Sequence, residues 1–433
     1  MFRGFESRTL RSRSERHRLS ESSTPRRPLA RHGQQTTPSF VGQLLKIVGI
    51  FAAVVLVSGF AVAGYVVYGL TSTVQANAVE LEGQKSVPPD IGAYEGGFNL
   101  LLTGVDTCEA KYAHLLGDRC EGRENEGTLN DVNLLVHVSA EPRRVTAVSF
   151  PRDMMVPIPS CTDEKGRVSS AMSKQPLNSA WAYGGLSCVA KTLSELTGED
   201  IQFAASVTFG GVIEITNAIG GVDVCLANPI KDKYTGLDMT AGNHTVVGLE
   251  ALQFLRTRHG VGDGSDLGRI GNQQQYMSSL ARKMMSSETL GNIPVMLKLA
   301  DTAVHNLKTS TTLADPMKLV QIGLALKDVP LNDIVFVQYP TGTDPDNANK
   351  VVPDYDDAEE MWAAISANKQ LEITHQNTKN DGVVVEDAPE ATAPPATADP
   401  SATPTPEQVA QLPSSVKGNS AAQQTCSNGN VRR

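Results

Sequence analysis

The sequence predicts a three-layer α/β domain displayed outside a membrane, behind one N-terminal transmembrane helix. Three observations predict it. Charge is divided: of a net −9 over 433 residues, residues 1 to 42 carry nine Arg against three Glu and Lys46 adds one more positive charge, which leaves −16 from Thr71 onward. Between these parts, Ile47 to Leu70 contains no charged residue. Beyond it, strand-like and helix-like segments alternate from about Gly97 to Leu371, the mixed order of a layered α/β domain.

Residues 1–42 are rich in Arg, Ser, Pro and Gln and show no apolar period, so they read as a disordered cytoplasmic arm. Residues 43–71 read as the membrane helix, since roughly 20 apolar residues cross a bilayer. Positive charge stays in the cytoplasm, which puts the rest of the chain outside. An extracellular connector, 72–96, leads to the domain at 97–371, large enough for a full core. Within it Phe98 to Val105, Asn133 to Val138, Val145 to Phe150 and Asp333 to Gln338 read as strands. Leu177 to Tyr183, Ser187 to Thr197, Gly211 to Ala218 and Gln273 to Met285 have helical spacing. Residues 372–413, dominated near their end by Ala, Pro and Thr, read as a solvated linker. A short segment, 414–433, holds Cys426.

All six cysteines, at 108, 120, 161, 188, 225 and 426, follow the apolar run. An extracellular setting favours disulfides over metal binding, and no Cys-x-x-Cys spacing occurs. Fifteen pairings are open. Cys108 with Cys120 would close a short loop, Cys161 with Cys188 is a plausible second pair, and Cys225 with Cys426 would remain by elimination.

An acidic ectodomain makes its local arginine clusters informative, because the planar guanidinium matches phosphate oxygens two at a time. Pro151-Arg152-Asp153 follows a strand, Arg256-Thr257-Arg258 would place both arginines on one face if extended, and Arg269 stands in Asp266-Leu267-Gly268-Arg269. Asp106 and Asp131 lie beside strand ends, where two carboxylates can hold Mg²⁺ that keeps waters and bridges to phosphates. The bland alternatives are a solvated Arg-Thr-Arg surface and Asp as turn chemistry. His114, His137, His244, His259, His305 and His375 show no ligand spacing. Ser149 lacks a Gly-x-Ser-x-Gly frame, and neither Gly184-Gly185 nor Gly220-Gly221 is a phosphate loop. The charge balance excludes a protein that binds nucleic acid through its bulk.

In order, the chain runs Asn99-Leu100-Leu101-Leu102-Thr103-Gly104-Val105-Asp106, Asn130-Asp131, Val148-Ser149-Phe150-Pro151-Arg152-Asp153, Val156-Pro157-Ile158-Pro159, Leu177-Asn178-Ser179-Ala180, Tyr183-Gly184-Gly185 and Ile219-Gly220-Gly221-Val222. Gly248-Leu249-Glu250-Ala251-Leu252 then leads to Arg256-Thr257-Arg258, Asp266-Leu267-Gly268-Arg269 and Gln273-Gln274. This series resembles the LytR-CpsA-Psr family, actinobacterial type, over about residues 97 to 371. The resemblance implies a central mixed β-sheet between helices, with an apolar tunnel for a lipid tail. It implies a membrane-anchored phosphotransferase that moves a glycopolymer from a polyprenyl pyrophosphate carrier to peptidoglycan, with pyrophosphatase action on the side. The implied cofactor is Mg²⁺, replaceable by Mn²⁺, on Asp106 and Asp131. Arg152, Arg256, Arg258 and Arg269 would surround the pyrophosphate and Gln273 would donate to a phosphate oxygen. Asp153 would orient Arg152, Asp266 would orient the later arginines or assist the metal, and either could take the acceptor proton.

Two departures lower the positive charge expected there. Thr128-Leu129-Asn130 stands where members often carry Arg, with Arg119 or Arg123 as candidate substitutes, and Asn272 stands where many have Arg before the Gln pair. A rival of another class is a non-catalytic polyprenyl phosphate binder or regulator of envelope synthesis. Release of polyprenyl phosphate discriminates the two.

Overall fold

The structure is a computed structural model; it describes residues 41–51, 53–54, 57–58, 78–83, 97–107, 109–115, 128–286, 289, 293–376, 379–385 and 409–430. Residues 41–51 are helical, with Leu44, Leu45, Ile47 and Phe51 exposed. Among the described residues no helix is long and apolar enough to cross a membrane. The expected span 43–71 continues past residue 58 outside the described residues, as do the arm at 1–40, Cys108, Cys120, Arg119 and Arg123.

The strands include β1 (Phe98–Val105), β2 (Asn130–Val138), β3 (Val145–Phe150), β4 (Phe203–Thr208), β5 (Val222–Leu226), β6 (Gly242–Val246), β7 (Leu307–Thr309), β8 (Ile334–Gln338), β9 (Asn347–Pro353), β10 (His375–Gln376), β11 (Val383–Val385), β12 (Lys417–Ser420) and β13 (Thr425–Ser427). The helices that frame them are α1 (Ala180–Thr197), α2 (Phe209–Ile219), α3 (Leu249–Arg256), α4 (Asp266–Met284), α5 (Ile293–Asn306), α6 (Pro316–Leu326) and α7 (Tyr355–Ser366). Eight strands form one sheet in the order β7-β4-β1-β2-β3-β8-β12-β10. The pairs β1/β4, β3/β8 and β10/β12 are parallel and the others antiparallel, so the sheet is mixed.

Both faces of this sheet are covered, which is why its strands read as near-continuous apolar runs. On one face Leu101, Leu135, Val148, Ala204 and Val337 pack with Leu186, Val189 and Leu193 of α1 and Met361, Trp362 and Ile365 of α7. On the other, Leu134, Ala147, Phe203, Ala205 and Phe336 meet Met277 and Ala281 of α4 and Leu319 and Ile322 of α6. Leu134 and Leu135 go to opposite faces, as alternation along a strand demands. Each fully buried large side chain contributes roughly 1.5–3 kcal/mol. The expected three-layer domain is therefore observed.

Some boundaries differ from the sequence reading. The strand expected from Asn133 starts at Asn130, and the helix expected from Gln273 starts at Asp266, because the Ser265 hydroxyl caps it by accepting from Gly268 N–H. Gly184 and Gly185 take non-helical backbone angles and kink α1, so its helical stretches part between Tyr183 and Ser187 as expected. A Cβ at Gly184 would press on Cys188 and Cys161, which form a disulfide with Cα atoms 5.5 Å apart. Cys225 and Cys426 form another.

The largest difference lies at the C-terminus. The boundary at 371, the linker 372–413 and the separate segment 414–433 give way at both linker ends. Residues 370–372 pair with 409–411, and β12 joins the main sheet beside β8. Strand β13 lies in a second sheet, ordered β6-β5-β13-β11. Composition alone hid this, since Lys417-Gly418-Asn419-Ser420 has no apolar period. Gly418 is accepted there because a Cβ would strike the Phe336 carbonyl.

Candidate functional site

Asp106 follows β1 and Asp131 lies in the paired strand β2, at the same end of the sheet. The register skips between Gly104↔Val132 and Val105↔Asn130, so Asp131 is the extra residue of a β-bulge. A bulge re-aims a side chain and frees main-chain groups. Here the freed Asp131 carbonyl accepts from Arg269 Nη2 at 3.0 Å, and its carboxylate takes Arg152 Nη1 at 2.7 Å. Asp106 is buried, with Oδ1 accepting from Leu129 N–H at 2.9 Å.

Pro151 ends β3 and turns the chain so that Arg152 and Asp153 leave the sheet. The turn is pinned by Asn178 N–H, which donates to the Arg152 carbonyl at 3.0 Å, and by Leu177 N–H on Met154. That is the structural work of the Leu177-Asn178 motif. Arg152 Nε then lies 3.5 Å from both Asp153 and Asp266. Burial opposes the charge on Arg152, but Asp131, Asp266 and Asp153 outweigh it and hold the guanidinium above its ordinary range. Asp153 is also desolvated, yet the hydrogen bond from Lys350 of β9 at 2.5 Å and the charges of Arg152 and Arg258 keep it below the ordinary carboxylate value.

Asp266 and Arg269 stand one turn apart at the start of α4, with Asp266 2.8 Å from Arg269 Nη2. A carboxylate in the first turn suits the helix dipole. Arg269 is 5 % exposed, and burial pulls its pKa down. Nε of Arg152 and of Arg269, and both Asp266 oxygens, are buried without a hydrogen bond of good geometry. Unmade bonds of this kind cost about 1–3 kcal/mol each unless a ligand completes them.

Arg256 is the last residue of α3, and the extended backbone expected of this motif begins only at Thr257. The wholly extended Arg-Thr-Arg that would set both arginines on one face is therefore not formed. Thr257 is fully buried and donates to Asp232 at 2.8 Å, while Arg256 lies over the Phe209 ring at 4.5 Å. Arg258 N–H also reaches Asp232 at 3.2 Å, and its Nε donates to the Gly264 carbonyl. Gln273 donates to the Leu255 carbonyl at 3.0 Å, so it braces α4 against α3 at the site's edge. Asn272 is buried and donates to Phe254 at 2.8 Å. It faces the interface of α4 with α3.

A cavity of about 320 Å³ lies between the sheet face and α2, α3 and α4. Its lining combines Asp131, Arg256, Arg269 and Gln273 with apolar Leu102, Leu134, Ala205 and Phe336 from the sheet. Along α4, Arg269, Gln273, Met277 and Leu280 line it in turn, a helical stripe that grades from charged to apolar.

The structure thus brings Arg152, Asp153, Asp131, Asp266, Arg269 and Arg258 into one electrostatic cluster, with Arg256 and Gln273 at the adjoining cavity. Lys350, Asp232 and Phe209 hold these groups and were missed in the sequence. Each lies far along the chain from its partner and in no shared motif. Asp106 and Asp131 fit the hard oxygen set that Mg²⁺ takes from a protein when substrate oxygens and water complete its shell. Among the described residues no group of three or more His, Cys, Asp or Glu converges as a metal cage.

Comparison with known proteins gives a consistent family. Cell wall biosynthesis protein LcpA of Corynebacterium glutamicum is 28% identical over 308 residues, 66% of this chain and 57% of its own length. The polyisoprenyl-teichoic acid–peptidoglycan teichoic acid transferase TagU of Enterococcus faecalis is 28% identical over 278 residues, 63% of this chain and 82% of its own. A solved LytR-Csp2A-Psr enzyme from Actinomyces oris is 20% identical, with a TM-score of 0.46 over 66% of this chain and 94% of that one. The sequence model of the LytR_cpsA_psr family matches residues 64–367, and the chain belongs to that family.

Proposed function

We propose that this protein transfers a glycopolymer from a polyprenyl pyrophosphate carrier to a hydroxyl of peptidoglycan, forming a phosphodiester link during cell wall assembly. One observation carries the reading: a mainly apolar cavity whose lining also includes Arg256 and Arg269. A polyprenyl tail and a pyrophosphate demand that pairing. The relatives named as transferases of teichoic acid to peptidoglycan support the substrate class. By charge distribution, the chain is anchored by residues 43–71 with its domain outside the cell.

The tail would enter between α2 and α4 and leave the pyrophosphate at the rim. Arg256 and Arg269 would meet its oxygens there, and the buried Nε groups of Arg152 and Arg269 would gain acceptors. Mg²⁺, or Mn²⁺ in its place, held by Asp106 and Asp131 would supply charge neutralisation on the phosphate oxygens. Phosphoryl transfer depends mainly on such positioning and charge. The acceptor hydroxyl attacks the phosphorus bound to the glycopolymer, the P–O bond to the bridging oxygen breaks, and polyprenyl phosphate leaves. The hydroxyl proton passes to Asp266 or Asp153. Asp153 is held ionised by Lys350, so it can accept a proton only briefly before solvent takes it. Water as acceptor would give the pyrophosphatase side reaction.

The test is release of polyprenyl phosphate from a lipid-linked donor by purified protein with Mg²⁺. Arg152→Ala is expected to reduce release at least a hundredfold, since one preorganised charge contact is worth roughly 10²–10³ in rate. Tight donor binding by the unaltered protein with no product over hours would instead identify a carrier or regulator.

A further inference from the structure

The family match ends at residue 367, yet the segments 379–385 and 425–430 fold back onto the elements that carry Arg258, Asp266 and Arg269. Gly262 N–H donates to the Asn428 carbonyl at 3.0 Å, Asn430 N–H to Gly260 at 2.8 Å, and Val261 bridges to Gly429 antiparallel. Asn430 Nδ2 donates to the His259 carbonyl at 2.7 Å. The loop directly after Arg258 is therefore held as one half of a short strand pair. Arg258 in turn takes its own loop's Gly264 carbonyl as acceptor, so the loop's shape sets where the guanidinium stands.

The other half of that pair is itself anchored. Asn428 is fully buried; its N–H donates to Gly382, its Nδ2 to Lys379 at 3.2 Å, and its Oδ1 accepts from Asn228 at 2.7 Å. Just before it, Cys426 is disulfide-bonded to Cys225 and β13 lies between β5 and β11. Gly382, with φ +81°, rests on the first turns of α4, where a Cβ would collide with the Gly268 carbonyl. A Cβ at Gly271 would likewise strike the Asp381 carbonyl. The loop of Arg258 and the helix start of Asp266 and Arg269 thus rest on the same C-terminal scaffold.

We propose that residues 425–430 are a positioning element for the pyrophosphate site, with Asn430 the positioning residue that sets the Arg258 loop. This rests on the proposed function for what the site does, but not for the contact itself. Asn430 is half-buried and lies at the edge of the fold, so a merely structural role would move stability slightly and catalysis not at all.

The experiment uses the full chain with Asn430→Ala and Asn430→Asp, the second of similar shape but lacking the N–H donor. Hydrogen exchange is expected to rise at the amides of 260–264 and to stay unchanged in β2. With a polyprenyl pyrophosphate-linked donor, kcat should fall by roughly tenfold to a hundredfold, as small misplacements of catalytic groups do, while the acceptor KM stays the same. Cys426→Ser, which releases the same strand further back, should give the same local rise in exchange. Unchanged exchange at 260–264 in all three variants overturns the proposal, as does a local rise with undiminished kcat. If the unaltered protein transfers nothing, the proposed function fails and the exchange pattern alone decides this inference.

Discussion

Asp232 illustrates what a single residue does away from the chemistry. It lies under the Arg256-Thr257-Arg258 turn and accepts from the Thr257 hydroxyl and from the main-chain N–H groups of Tyr234 and Arg258. Burial raises its pKa, but these donors prevail and hold it below the ordinary 3.8; Asp153 is shifted the same way. A carboxylate depressed in the folded state adds stability above its unfolded pKa, and that stability is lost as pH falls through the folded value. Thermal stability should therefore carry the full, pH-independent contribution of these two groups between pH 5 and 8 and should drop below about pH 4. Asp232→Asn should cost about 1.5–3 kcal/mol at pH 7, the range for hydrogen bonds to a charged group, and should flatten the acid drop. A melting series from pH 3 to 7 checks both, and an unaltered acid drop in the variant would refute the assignment. Arginines were legible in the sequence because the acidic chain beyond Thr71 has few to place. Asp232 was not, since its meaning arises only when a turn 25 residues later closes over it.

Element by element, the sequence showed periodicity well and geometry less well. β1 and β3 match their expected bounds, and both sheet faces are covered as the unbroken apolar runs required. No local pattern marks the bulge that turns Asp131, because a one-residue skip in register is a property of two strands together. The cavity was likewise expected only from resemblance, and it forms because α2, α3 and α4 leave space over the small Ala205 of β4. Two hydrophobic effects then act with opposite sign at that position. Ala205→Leu would enter empty apolar volume and so escape part of the roughly 1–3 kcal/mol that overpacking a filled core costs. The same methyl groups would occupy tail space. The KM for a long polyprenyl donor should rise several-fold relative to a short-chain analogue, with kcat retained. Equal effects on both donors would place the tail elsewhere.

Over the whole molecule the charge division becomes a prediction about where the protein works. The part beyond Thr71 carries −16, so an anionic membrane surface repels the folded domain, while its proposed donor resides in that membrane. The N-terminal arm, with nine Arg, and the apolar run would offset this by tethering the domain beside its substrate. Tethering turns encounter into an intramolecular event, worth 10²–10⁴ in apparent affinity without any new contact. A chain beginning at residue 78 should therefore match the full chain on donor dissolved in detergent. On donor embedded in anionic vesicles it should fall behind by at least about a hundredfold. Raising the salt from about 0.01 M to 0.15 M shortens the screening length from roughly 30 Å to 8 Å, and should restore part of that loss for the untethered chain only. The C-terminal strands are present in both forms, so a deficit already seen in detergent would mean that residues before 78 shape the site itself. A deficit confined to vesicles and relieved by salt would assign them to anchoring, because only repulsion from the surface is both absent in detergent and screened by ions.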